Sequence, residues 1–279
     1  MNRLDEPQNP LFSIIVVSLN AGEEMLHTID SILKQTEQGY EIIVKDGFSS
    51  DGSIEQLPSD DRIRLFQQKD KSIYDAMNQA VQYASGEYYL FMNCGDYFYE
   101  DTVLQNVKEY LVKNTCDILY GNLYNRKLQS VIHAYPTINA FTCYRNVPCH
   151  QTCFYHQNLF SERGYDTAYT VRADYEHFLW CYFEKHANIK YIDAIIANYE
   201  GGGFSETKKN LVASDRQHKE IIAKYMAKSQ IIKYQILLIL SLAPLRKKIA
   251  GSKTLSGLYN KVKTLLYGVA KKGHTDRER

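Results

Sequence analysis

The chain has 279 residues, 44% hydrophobic and 23% charged, with 15 Gly, 6 Pro and 6 Cys. This composition excludes wholesale disorder, collagen-like repeats and a small disulfide-stapled scaffold, and the length allows one or two domains around a large core. The formal net charge of +1 conceals an asymmetry: residues 1–207 carry 16 Lys and Arg against 28 Asp and Glu (net −12), while residues 208–279 carry 17 against 4 (net +13), so no nucleic-acid partner is expected.

The opening MNRLDEPQNP is polar, and no targeting segment is read in it. Residues 12–18 (FSIIVVS) are a continuous β-branched run, as expected of a strand buried on both faces. Helical spacing follows over 23–35, a second strand over 41–45, then the turn GFSSDG at 47–52. A short strand at 62–66, a helix at 73–84 and a strand at 87–92 (EYYLFM) lead to Asn-Cys-Gly-Asp at 93–96. A helix at 101–113 and a strand at 117–120 continue the alternation, which indicates crossover units and a mainly parallel α/β sheet. After about residue 122 the pattern loosens, with one helix predicted at 174–185, a strand at 192–199 and the Gly-rich EGGGFSE at 200–206. From Lys208 the chain reads as helical and basic.

Small polar residues recur where the strands end: Asn20, Asp46, Asp70 and Asp96. In an open α/β sheet ligands bind beyond the carboxyl ends of the strands. Several carboxylates on one rim suit a divalent cation that neutralises a phosphate. No G-x-G-x-x-G follows the first strand and no G-x-x-x-x-G-K-[ST] is present, which disfavours a dinucleotide oxidoreductase and a P-loop NTPase. The six cysteines are expected as reduced thiols, and Cys149, Cys153 and His156 lack a second pair of ligands at zinc spacing.

The segments SIIVVSLNAGEEMLHTIDSILKQT, YEIIVKDGFSSDGS, DKSIYDAMNQAVQYASGEYYLFMNCGD, HQTCFYH and ADYEHFL, in this order over about residues 12–206, resemble family 2 glycosyltransferases of bacterial surface-polysaccharide synthesis. The resemblance implies the GT-A nucleotide-sugar fold over 1–207, with a nucleotide half at about 12–121 and an acceptor half at about 122–207. It implies a nucleoside-diphosphate sugar as donor, Asp46 near the base, Ser18, Leu19 and Asn20 in the loop beside it, and Asp70 near the nucleoside. Asn93 and Gly95 stand where the family's DxD motif often has Asp, which leaves Asp96 as the candidate ligand for Mg²⁺ or Mn²⁺. Asp174 matches the catalytic base of inverting members, His150 and Gln151 fall on the acceptor side, and Gly202 lies in a candidate lid. The acceptor implied is a saccharide or a lipid-linked saccharide. The alternatives are a sugar nucleotidyltransferase, disfavoured because no Gly-rich basic loop follows the first strand, and a non-catalytic sugar- or nucleotide-binding module.

The apolar stretch at 236–243 is far shorter than the roughly 20 residues that span a bilayer. It adjoins Arg246, Lys247 and Lys248, and residues 258–272 repeat the apolar and basic mix at helical spacing. This basic amphipathic region, 208–279, is expected to place a cytoplasmic protein on the inner face of the cell membrane. Docking of those faces on the catalytic domain, or on a second copy in a homo-oligomer, is the alternative.

Overall fold

The computed structural model describes residues 9–201 and 207–240. The chain divides into two compact units, residues 1–225 and 226–279, each taken here by itself.

The first unit is built on a sheet that starts with β1 (Phe12–Ser18), β2 (Tyr40–Asp46), β3 (Ile63–Gln67) and β4 (Tyr88–Asn93). These four are mutually parallel in the order β3-β2-β1-β4. Their side chains alternate between two cores, because successive residues of a strand point to opposite faces. Phe12, Ile14, Val16, Ile42, Val44, Leu90 and Met92 pack on one face with α1 (Glu23–Leu33) and α3 (Val103–Lys113). Ile15, Ile43, Tyr89 and Phe91 pack on the other with α2 (Ile73–Val81), α5 (Asn158–Glu162) and α6 (Ala173–Phe183). Burial on both faces is why β1 and the middles of β2 and β4 read as unbroken apolar runs, whereas the edge strand β3 is only partly buried.

The sheet continues through five further strands, β5 (Tyr97–Phe98), β6 (Ile118–Asn125), β7 (Ser130–Ile132), β8 (Cys153–His156) and β9 (Ile189–Tyr199). Of these, β5, β7 and β8 are too short to show a period. The full order is β3-β2-β1-β4-β8-β6-β9-β5, with β7 paired to β6. Beyond β4 the pairing is mixed: β8 runs antiparallel to β4 and β6, and β9 parallel to β6. From β1 the chain winds outward to β2 and β3 and then crosses back to β4 on β1's other side. That reversal is a topological switch point, where the carboxyl ends of adjacent strands leave a crevice. It opens at Ser18 and Asn93.

A six-residue helix, α4 (Ala140–Arg145), carries a capping box of Asn139 and Thr142. Helix α7 (Lys208–Tyr225), which the sequence grouped with the basic C-terminal region, packs within the first unit. Gln217 Oε1 accepts from the backbone N–H groups of Val171 and Arg172 at 3.0 and 3.2 Å. Buried Glu176 holds Lys224 and Tyr225 on one oxygen and Arg163 on the other. In the second unit, α8 (Lys228–Leu240) exposes Ile232, Ile236, Leu237 and Ile239. The expected amphipathic stretch at 258–272 lies outside the described residues, as does Gly202 of the candidate lid. Among the described residues no helix is long and apolar enough to cross a membrane.

Candidate active site

The loops after β1 and β2 are tied to each other. Asn20 N donates to Ser49 Oγ and Asn20 Oδ1 accepts from Ser50 N, each at 2.8 Å, while Gly22 N donates to Asp51 at 2.8 Å. Asn20 adopts a positive φ of 52°, a conformation Asn tolerates better than most residues. Asp46 pairs with Ser18 across the ladder and is fully buried. Its carboxylate accepts from Ser49 N at 2.8 Å, Ser49 Oγ at 2.5 Å and Gln67 Nε2 at 3.2 Å. The Asp46 carboxylate is thus engaged with its own turn and with β3. Asp70 is paired with Lys45 of β2, whose side chain is wholly buried. A Cβ at Gly47 would stand 3.0 Å from Asp70 Oδ2 and 3.1 Å from Leu19 Cδ1, so any larger residue here would have to push these side chains aside. In the same two loops, Leu19 and Phe48 present exposed apolar surface, 59% and 53% accessible.

The other side of the crevice is built from β4, the turn His150–Thr152, α2 and α6. Asn93 Nδ2 lies 3.3 Å from His150 Nε2, and His150 Nδ1 lies 3.2 Å from Asp174 Oδ2. Tyr74, in the first turn of α2, reaches Asp174 Oδ1 at 2.8 Å and Val171 O at 2.9 Å through its hydroxyl. Asp174 sits in the first turn of α6 without capping it: the N-cap is Arg172, which makes no side-chain cap. Burial works to raise the Asp174 carboxyl, but the hydrogen bonds and charge of His150 and the Tyr74 hydroxyl hold it below the usual carboxylate range. The same partnership, with burial foremost, pushes the Tyr74 phenol well up. Asn93 Oδ1 and Ser18 Oγ are buried without a partner.

Asp96 lies behind this row. Its Oδ2 accepts from Gln151 Nε2 at 2.8 Å and its Oδ1 from Glu200 N at 3.0 Å, while burial pushes its carboxyl up. Thr28 Oγ1 donates to Asp96 O at 2.8 Å and accepts from Gly95 N at 3.0 Å, which anchors the 93–96 loop on α1. Gly95 has a φ of 90°, and a Cβ there would stand 2.9 Å from Glu24 Oε2 and 3.0 Å from Glu200 Oε2. Arg126 donates to Gly95 O at 2.5 Å and stacks on the Tyr97 ring at 4.4 Å, with its Nε buried and unpartnered. Among the described residues no group of three His, Cys, Asp or Glu side chains is arranged to hold a metal alone. The donor set nevertheless fits a hard cation shared with phosphates, since Mg²⁺ sites commonly take one or two carboxylates and complete their shell with substrate oxygens. Each Asp96 oxygen accepts one hydrogen bond and keeps a lone pair.

The structure thus brings Asn93, His150, Asp174, Gln151 and Asp96 together. It engages Asp46 with Ser49 and Gln67, Asn20 with Ser49 and Ser50, and Asp70 with Lys45. Sequence reasoning missed Tyr74, Lys45, Glu24, Glu200 and Arg126; only Tyr74 carried a signal, as the first residue of YDAMN. The cavity of about 460 Å³ between the end of α2 and the segment 160–166 contains none of the strand-end residues.

The family model described as glycosyl transferase family 2 matches residues 13–178. A PGL/p-HBAD biosynthesis glycosyltransferase of Mycobacterium bovis is 31% identical over 206 residues, 71% of this chain and 80% of its own. The UDP-Glc:alpha-D-GlcNAc-diphosphoundecaprenol beta-1,3-glucosyltransferase of Escherichia coli is 34% identical over 115 residues, 40% of this chain and 45% of its own. A mannosyltransferase from Pyrobaculum calidifontis, solved with GDP-Man and Mn²⁺, superposes with a TM-score of 0.62 at 16% identity. That superposition covers 94% of this chain and 81% of the mannosyltransferase, and with the mixed α/β sheet it establishes the GT-A fold.

Proposed function

The chain belongs to glycosyl transferase family 2, and from that premise we propose that it moves a sugar from a nucleoside-diphosphate sugar to a saccharide or lipid-linked saccharide, with inversion. The observation that carries this reading is the crevice at the switch point, with an apolar shelf on one side and the Asp174–His150 pair on the other. On the donor side, Leu19 and Phe48 offer flat surface to a base, held in place by the Asn20, Asp46 and Asp51 hydrogen bonds of the same two loops. Asp70, paired with Lys45, supports the second of them. Ser18 and Asn93, at the ends of β1 and β4, stand where the switch-point crevice opens, the place a sugar diphosphate would take.

Asp96 would hold Mg²⁺ or Mn²⁺ together with phosphate oxygens of the donor. A bound cation offsets the negative charge that gathers on the departing diphosphate. Arg126 keeps the 95–97 turn in place through Gly95 O and Tyr97. Across the crevice the Asp174–His150 pair supplies the base that removes the proton of the attacking hydroxyl. Single displacement from the face opposite the diphosphate inverts the anomeric centre. The lipid-linked acceptor and UDP-sugar donor in the name of the Escherichia coli relative support the substrate class. GDP-Man and Mn²⁺ in the mannosyltransferase structure support a nucleotide donor with a cation.

The test is a panel of UDP-glucose, UDP-GlcNAc and GDP-mannose, read as release of free UDP or GDP with Mg²⁺, with Mn²⁺ and with excess chelator. One donor is expected to turn over, and chelator to stop it. Full activity in chelator would remove the cation, and no binding to any of the three would overturn the donor reading. The exposed apolar residues of α8, followed in sequence by Arg246, Lys247 and Lys248, support a membrane-surface location. Co-sedimentation with anionic vesicles, weakened by salt, is expected; a protein that stays in the supernatant at low salt would overturn it.

A further inference from the structure

This inference rests on the glycosyltransferase reading, with Asp174 as the base, and concerns what holds that carboxylate ready. The terminal torsion of an Asp side chain is broad and roughly two-fold, so an unrestrained carboxylate spreads its lone pairs over many directions. In the first turn of α6, the two Asp174 oxygens meet side chains brought from elsewhere in the fold. His150 Nδ1 lies 3.2 Å from Oδ2, and the Tyr74 hydroxyl lies 2.8 Å from Oδ1. Tyr74 is 100 residues away in sequence and is fixed by its own surroundings. Ser72 caps α2 by accepting from Asp75 N, and the Tyr74 ring packs on Tyr165 with centroids 5.3 Å apart. Tyr74 is buried, which shields the contact from water.

Val171 O supplies a second, independent observation. A hydroxyl has one proton to give, and Tyr74 faces two acceptors, Asp174 Oδ1 at 2.8 Å and Val171 O at 2.9 Å. While the carboxylate is ionised, the charge-assisted bond to Asp174 is the stronger. Once Asp174 carries a proton, the Tyr74 proton can turn to Val171 O, and neither state leaves the buried phenol without an acceptor. Tyr165 is the contrast: it too is a buried phenol near Asp174, yet its hydroxyl has no partner. The other groups that face the carboxylate are Cys149 beside His150, and Cys153 and Tyr155 of β8. Burial pushes these thiols and phenols up, Cys149 to about 12, so they stay neutral. Burial raises the Asp174 carboxyl as well, and the His150 and Tyr74 hydrogen bonds act against it.

We infer that Tyr74 is a positioning residue for the base: its hydroxyl holds the Asp174 carboxylate in the orientation that receives the acceptor's proton, and its turn to Val171 O accommodates the neutral acid. In the step it serves, the acceptor's O–H bond breaks and its proton forms an O–H bond on Asp174. The acceptor oxygen's electron pair forms the bond to the anomeric carbon. The bond from that carbon to the phosphate oxygen breaks, and its electrons leave with the nucleoside diphosphate. The proton on Asp174 is later lost to water.

The experiment uses the full chain and the hydrolysis of whichever of UDP-glucose, UDP-GlcNAc and GDP-mannose it turns over, with water as the acceptor. Tyr74→Phe keeps the ring and removes the donor. It is expected to lower kcat roughly 10- to 100-fold, the range for a hydrogen bond to a charged group, with the KM for the nucleotide sugar and calorimetric nucleotide affinity unchanged. The acidic limb of its kcat/KM profile is expected at higher pH than in the wild type, because the lost bond favours the carboxylate form. In the Asp174→Asn enzyme, Tyr74→Phe is expected to change kcat by less than about twofold, since a residue that acts through Asp174 has nothing left to position. Tyr165→Phe, which removes a hydroxyl without a partner, is expected to keep the wild-type kcat and pH profile. Where Tyr74→Phe does not fold, 4-fluorophenylalanine at position 74 fills the hydroxyl's space without donating and is held to the same outcomes. Wild-type kcat in Tyr74→Phe would overturn the assignment, as would an equal loss in Tyr165→Phe or an undiminished effect of Tyr74→Phe on the Asp174→Asn enzyme. A wild-type protein that turns over none of the three donors overturns the donor reading and this assignment with it, whereas an outcome confined to the variants concerns Tyr74 alone.

Discussion

At the ends of β2 and β3, the polar side chains are closed on one another: Lys45 with Asp70, Asp46 with Ser49 and Gln67, Asn20 with Ser50. At the end of β4 and the start of α6, the row from Asn93 to Tyr74 has a buried acceptor to spare, and both oxygens of Asp174 point at groups that can exchange protons. Both regions present carboxylates on the same rim. One spends them on fixing a loop, while the other keeps its hydrogen-bonding capacity incompletely matched, which buried groups in a purely structural role seldom do. The difference implies that substitutions in the first region act on stability and those in the second on rate.

The largest effect that would break this comparison is expected at Asp70. Asp70→Asn removes the counter-charge of the wholly buried Lys45 ammonium. Removing one partner of a buried pair costs about 3–5 kcal/mol; because Asp70 is partly exposed, the lower end of that range is expected, read from urea unfolding. Asp174→Asn, which strands no buried charge, is expected to shift the same transition by less than about 1 kcal/mol. An Asp70→Asn protein with an unchanged urea midpoint would show that the two regions do not divide as described.

A smaller effect sharpens the comparison from behind the rim. One turn along α6 from Asp174, His177 is fully buried, stacked on Phe160 with ring centroids 4.4 Å apart, and donates from Nε2 to Arg163 O at 3.1 Å. Burial lowers its pKa from 6.5 to about 4. The folded state thus holds the neutral ring. The stability this brings is fully present above about pH 6.5 and is lost as the pH falls toward 4, because the unfolded chain binds the proton first. A shift of this size corresponds to about 3 kcal/mol at full loss. His218, also lowered chiefly by burial, adds a contribution of the same sign. Urea midpoints at pH 7.5 and 4.5 are expected to differ in the wild type and to differ by less in His177→Gln, with the contribution of His218 remaining. A variant with the wild-type pH dependence would place the acid sensitivity elsewhere.

Much of the fold was legible because its elements are long and strongly patterned. The predicted first strand coincides with β1 residue for residue, and β2, β4, α1, α2 and α3 depart from expectation only at their ends. The short strands β5, β7 and β8 and the helices α4 and α5 were not predicted, since segments this brief hold too few side chains to show a period. Glu176 carried no signal of its own, because its partners Arg163, Lys224 and Tyr225 lie 13, 48 and 49 residues away.

By itself the sequence determined the parallel β1–β4 core and the row of polar strand ends. Both follow from local facts: which side chains are apolar, at what spacing, and where a run stops. Only the tertiary structure decided which of those polar groups remained available. Asp46 and Asp70 are as prominent in the sequence as Asp174, yet the loop network closes over the first and a buried lysine pairs with the second. Asp174 instead meets His150 from 24 residues away and Tyr74 from 100. A hydrogen bond depends on where chain closure brings two groups together, and no pattern along the chain encodes that meeting.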